Sequence, residues 1–128
     1  MVVVYRLAMI VMMGVAGALA VQNTRAEAHT SSDGNWSVVV SGQNGSCQGG
    51  SYNYALQIVN GVIYYPGTDA RITGRVSRSG AVYVRVFAGD RSAVGSGRLS
   101  HYSGGGSFRG QSSSGMCAGT WSAHRMGG

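Results

Sequence analysis

Between Ala81 and Phe87 the chain alternates cleanly, with Val82, Val84 and Val86 on one parity and Tyr83, Arg85 and Phe87 on the other. A period of two sends successive side chains to opposite faces of an extended strand, so such a segment has one face to bury and one to leave in water. The pattern recurs. Trp36, Val38 and Val40 align within Trp36 to Ser41, and Tyr52, Tyr54, Leu56 and Ile58 within Tyr52 to Val59. Ile72, Gly74 and Val76 align within Ala70 to Val76, and Cys117, Gly119, Trp121 and Ala123 within Cys117 to Arg125. No stretch after residue 28 has helical periodicity. An all-β antiparallel meander of about seven to eight short strands is therefore predicted.

Glycine and serine punctuate these segments, and the only proline is Pro66. Asn60-Gly61 separates Tyr52 to Val59 from Val62 to Tyr65 and predicts a tight hairpin, because a type I′ turn demands positive φ at both central residues. Ser79-Gly80 and Gly89-Asp90 predict two further turns. Glycine also falls at inward positions: Ala93, Gly95, Gly97 and Leu99 share a parity, and Phe108 alone fills the inward row of Gly106 to Gly110. Alternate inward glycines let another backbone approach closely or allow a sharp bend, as tight barrels require.

The first 28 residues read as an export signal. Arg6 supplies the positive start, Leu7 to Ala20 is an uncharged apolar run of 14 residues, and Ala26-Glu27-Ala28 is an A-x-A cleavage site. A spanning helix needs about 20 apolar residues, so a retained anchor is the weaker reading. Ala18-Leu19-Ala20 is a second possible site. The expected organisation is a signal peptide over 1–28 and one β domain over 29–128, periplasmic or secreted, with no transmembrane segment after cleavage.

An oxidising compartment predicts that the two cysteines, Cys47 and Cys117, pair. Closing a loop of about 70 residues removes unfolded-state entropy worth roughly 4 kcal/mol on the chain-entropy account. Cys47 follows the first strand and Cys117 opens the last, so their bond would set those strands side by side. A meander with adjacent first and last strands is a closed or nearly closed barrel. A β-sandwich stays open as the alternative, because parity alone does not separate the two. Trp36 and Trp121, both at inward parity, are expected to meet in the core.

All ten basic residues are arginine. Eight follow residue 28 against three aspartates, a net charge of +5 with histidine neutral. Such a balance favours anionic partners: acidic polysaccharide, lipopolysaccharide or another envelope component, with nucleic acid not expected. Tyr83, Arg85 and Phe87 form an outward stripe, which Arg71 and Arg75 extend from the preceding segment. Alternating aromatic and cationic groups stack on sugars and pair with phosphate or carboxylate. The plainer account of the same residues is cross-strand packing on a solvated face. The domain is expected to be a monomer.

The search for chemistry returns negatives. After residue 28 there is no glutamate, and Asp33, Asp69 and Asp90 each sit beside turn residues. No Gly-x-Ser-x-Gly elbow occurs, and Gly104-Gly105-Gly106 lacks the lysine and helix of a phosphate loop. His29, His101 and His124 have no metal-ligand spacing. No catalytic residue, enzyme activity, metal site or cofactor is expected. The alternative ligand is haem, for which His101, His124, Met116 and Met126 supply possible axial groups without a Cys-x-x-Cys-His attachment motif.

Asn35-Trp36-Ser37-Val38, Ile58-Val59-Asn60-Gly61-Val62, Gly95-Ser96-Gly97-Arg98-Leu99-Ser100 and Cys117-Ala118-Gly119-Thr120-Trp121-Ser122-Ala123 resemble a family of small exported proteins of Gram-negative soil bacteria. Those proteins often carry the label heme utilization or adhesion exoprotein. The resemblance spans nearly all of 29–128 and departs at His124, where the family usually has an acidic residue. It implies an exported β domain and supplies no binding residue. By analogy of architecture, ligand-holding barrels of the lipocalin or avidin type, protease-inhibitor barrels and purely structural envelope proteins are further possibilities. Barrel inhibitors of lysozyme fit poorly, since a +5 domain repels a basic target.

Overall fold

The computed structural model describes residues 32–127. The export segment and both cleavage sites lie outside the described residues, as does His29. The described residues form eight strands: β1 (Gly34–Gly45), β2 (Ser51–Val59), β3 (Val62–Tyr64), β4 (Arg71–Val76), β5 (Ala81–Ala88), β6 (Arg91–Leu99), β7 (Ser103–Ser112) and β8 (Gly115–Arg125). Each pairs antiparallel with the next, and β8 returns to β1, giving a closed barrel in chain order. That closure removes the sandwich alternative, because β1 pairs on both sides.

Two strands outrun their sequence signal. β1 continues past Ser41 to Gly45 because an irregularity between Gly42 and Asn44 lets its pairing with β8 resume after the alternation has broken. β7 starts at Ser103 because Gly104, Gly105 and Gly106 carry ladder hydrogen bonds against β6 and β8 without any side-chain pattern to betray them. The predicted hairpin is present: Asn60 has φ 52° and Gly61 φ 78°. The Asp33 carboxylate accepts from the Asn60 N–H at 2.7 Å and the Gly61 N–H at 3.0 Å, so the start of β1 is bonded to the β2–β3 turn.

Large apolar side chains fill one end of the barrel. Trp36, Ile58, Ile63, Val76, Val82 and Ala123 are buried there, and Trp36 is only 1% exposed. The Trp36 indole donates to the Ser32 carbonyl at 2.8 Å, and the Arg125 guanidinium carbon stands 4.8 Å from its ring centroid. Arg125 also donates to the carbonyls of His101 at 2.7 Å and Asp33 at 2.6 Å. A cation on an aromatic face that also satisfies loop carbonyls seals this end against water. Trp36 and Trp121 share the core at different levels, since Trp36 lies opposite Arg125 while Trp121 lies opposite Val40.

Trp121 explains one inward glycine. A Cβ on Gly97 would come within 2.7 Å of both the Trp121 ring and the Gly106 backbone. The bare backbone lets the indole lie against β6, where it donates to the Ser96 carbonyl at 3.1 Å.

The barrel is unevenly knitted. β3 meets β4 only through Val62–Arg75 and Ile63–Gly74, whereas β1 meets β8 from Trp36–Arg125 to Gly45–Cys117. The Cys47–Cys117 disulfide is present, with its Cα atoms 5.4 Å apart, inside the ordinary range of about 4.4–6.8 Å. Cys117 pairs with Gly45, so the covalent link reinforces the β1–β8 seam. Replacing Cys47 with serine is expected to lower the melting temperature by at least about 10 °C, from roughly 4 kcal/mol of lost loop constraint. Thermal unfolding of wild type and Cys47→Ser followed by circular dichroism checks this, and coincident curves refute it.

Candidate functional site

The interior of an eight-stranded barrel is just wide enough to be filled by side chains or to hold one small ligand. Here the lumen is incompletely filled, and the unfilled space runs past Ile58, Ile63, Ile72, Val82 and Ala123 as well as toward the mouth. Register places Val86 opposite Ala93, Ala93 opposite Gly110, and Gly110 opposite Cys117. β6, β7 and β8 therefore contribute only small groups at this level, while β4 sets Ile72 opposite Val86. The result is a cavity of about 270 Å³. Val38, Val40, Leu56, Val84 and Phe108 make its walls, and Trp36 and Trp121 also border it.

The cavity reaches the end of the barrel that carries the β1–β2, β5–β6 and β7–β8 turns. Its rim there is polar: Tyr52, Arg91, Ser46, Gln111 and Ser114 line it together with the disulfide. Arg91 is the one charged residue among the lining groups. Its guanidinium makes a long 3.5 Å contact to the Tyr52 hydroxyl and lies 5.8 Å from that ring's centroid. β2 and β6 stand four strands apart in a ring of eight. The Arg91–Tyr52 contact consequently crosses the mouth.

Two further contacts shape the rim. The Asp90 carboxylate accepts from the Ser113 N–H at 3.1 Å and from the Ser113 hydroxyl, joining the β5–β6 turn to the β7–β8 turn. Tyr54, inside the wall, packs edge-on to Tyr65 at 5.4 Å between centroids. Burial raises the Tyr54 phenol pKa, and the Asp69 charge adds to the rise. Tyr65 donates to Asp69, which raises its own pKa in turn. All three described aspartates thus hold structural partners.

The outward stripe occupies a different surface. Tyr83, Arg85 and Phe87 project outward from β5, and β4 sets Arg75, Thr73 and Arg71 against them in that order. The Arg71 guanidinium carbon lies 5.3 Å from the Phe87 ring centroid. Tyr83 is 51% exposed. Val94 of β6 lies beside Arg85 and across from Arg109 of β7, which extends the face. So all five residues expected to form a patch come together on adjacent strands, away from the cavity.

His101 and His124 do not border the cavity. His101 lies in the β6–β7 turn at the sealed end, edge-on to Tyr102 at 4.4 Å between centroids, and His124 is exposed on the outside of β8. Among the described residues no cluster of three or more potential metal ligands occurs. Sequence reasoning missed Arg91, Tyr52 and the small residues between them. Their signal was the inward run Ala93, Gly95, Gly97, which fits a close backbone approach and an empty lumen equally well until register shows what stands opposite.

Comparisons with protein-family models, curated proteins and solved structures found no match to this chain.

The rim bridge has a defined pH dependence. Hydrogen bonds from Ser113 hold the Asp90 carboxyl below its ordinary pKa. A group with a depressed folded value contributes stability above its unfolded pKa and loses it as the pH falls through the folded one. The bridge is therefore expected to persist at neutral pH and to be released in acid below about pH 4. An NMR titration should show the Ser113 amide resonance moving only in that acid range, with the movement gone in Asp90→Asn. An Asp90 carboxyl that titrates at the ordinary aspartate value refutes the assignment.

Proposed function

We propose that this protein is an exported, monomeric binding protein that holds one small apolar or amphipathic molecule in the lumen of its barrel. The observation that carries this reading is the incompletely filled interior: an apolar floor at Trp36, walls of Val, Leu, Ile and Phe, and a mouth with a polar rim. Small-molecule sites are concave, mostly apolar and furnished with a few oriented polar groups. Burying a ligand's apolar surface there gains about 25 cal/mol per Å² before the cost of immobilisation. The structural partners of Asp33, Asp69 and Asp90 favour a binding role over an enzymatic one. Haem is a poorer occupant, since neither His101 nor His124 reaches the cavity to ligate iron.

A specific observation favours a second surface. The outer face of β4 to β7 carries Arg71, Arg75, Arg85 and Arg109 with Tyr83 and Phe87, and none of the three described aspartates lies on those strands. The outer face of β8, β1 and β2 instead shows Thr120, Ser122, Ser37, Asn53 and Gln57. Segregation of this kind suits contact with an anionic envelope surface such as lipopolysaccharide or an acidic polysaccharide. It would keep a lumen-binding protein close to the membrane.

The lumen reading is tested by titrating the oxidised protein with 1-anilinonaphthalene-8-sulfonate. Saturable fluorescence enhancement is expected, reduced at least about ten-fold in affinity by Ala93→Phe, which adds a ring to the lumen, with an unchanged circular dichroism spectrum showing that the variant is folded. Wild-type protein that gives no enhancement, or Ala93→Phe that binds as well as wild type, defeats it. For the outer face, retention on immobilised lipopolysaccharide should fall with added salt and fall further in Arg85→Ala. Retention indifferent to both removes the charge argument.

A further inference from the structure

Resting on the lumen reading, we infer that the ligand is a single-chain anionic amphiphile, a medium-chain carboxylate, whose head is held at the mouth by Arg91 and Tyr52. The tail follows from the walls, which are apolar from the level of Ala93 down to Trp36. The cavity of about 270 Å³ runs along the lumen from the mouth to Trp36, which suits one chain of moderate length.

The head follows from Arg91. It is the only charge among the lining residues, and it sits where the apolar wall gives way to water. Among the described residues it makes no salt bridge, only the 3.5 Å contact to the neutral Tyr52 hydroxyl and the contact with that ring. The adjacent Asp90 carboxylate is turned to Ser113. A guanidinium whose one polar partner is a weak, neutral acceptor gains two parallel charge-assisted bonds when a carboxylate arrives. The Tyr52 hydroxyl is then free to donate to the same carboxylate, and the Gln111 side chain offers a further donor at the rim.

The same geometry supplies a means of admission. The Arg91 side chain spans the mouth from β6 to β2. A ligand carboxylate entering there would replace the phenol oxygen as the polar partner of the guanidinium.

Decanoate and decanol, equal in tail and different in charge, separate the claims. Binding to the oxidised wild-type protein is followed by tryptophan fluorescence, since Trp121 and Trp36 both border the cavity. Decanoate is expected to bind about ten- to a hundred-fold more tightly than decanol at low salt. Arg91→Gln should abolish that preference, with a far-ultraviolet circular dichroism spectrum matching wild type to show that the variant is folded. Tyr52→Phe should lower decanoate affinity several-fold. Equal affinity of wild type for the two ligands, or a preference that survives Arg91→Gln, overturns the head-group assignment while the lumen reading stands. Failure of the wild type to bind either ligand overturns both.

Discussion

The closure of β8 on β1 is the constraint on which everything else in this molecule depends. A meander that stopped short of it would expose two ladders of unpaired backbone groups and open the apolar interior to water. Pairing from Trp36–Arg125 to Gly45–Cys117 prevents both. The disulfide sits where that seam reaches the mouth, the end at which packing contributes least. Covalent chemistry thus supports the half of the seam that hydrophobic burial does not.

The two ends of the barrel are built on opposite principles. At the sealed end bulky side chains meet across the axis, Arg125 covers Trp36, and Asp33 is bonded to the β2–β3 turn. At the open end Ala93, Gly110 and Cys117 fall at one level, and cross-links run between turns through Asp90 and Ser113 or across the mouth through Arg91 and Tyr52. A domain with so modest a core gives up real stability by leaving part of its interior unfilled. Emptiness held in place by rim contacts and a disulfide is what a binding cavity requires.

The charges divide the molecule in the other direction. Arginine and aromatic groups face outward from β4 to β7, and uncharged polar groups face outward from β8 to β2. Each outward aromatic of β5 has an arginine opposite it on β4, and the Arg71 guanidinium lies over the Phe87 ring. This packing stabilises the sheet face and leaves it strongly positive at once.

Most of the strand pattern was legible in the chain. Alternation placed Val82, Val84 and Val86 inside and Tyr83, Arg85 and Phe87 outside, Asn60-Gly61 marked its turn, and the cysteine positions implied adjacent first and last strands. Alternation is a local property of extended backbone, so it survives in the order of residues. β7 began earlier than its signal because glycines pair without patterning, and the sandwich fell away only when β1 was seen to pair twice. The cavity was not legible at all. Ala93, Gly110 and Cys117 are distant in sequence, and only register sets them at one level. Nor does sequence bring Arg91 to Tyr52, since that contact exists only because a ring of eight strands places β2 across from β6. Which residues face inward was determined by the sequence alone; how far apart the inward faces stand, and so whether they touch or leave room for a ligand, was decided by closure of the barrel.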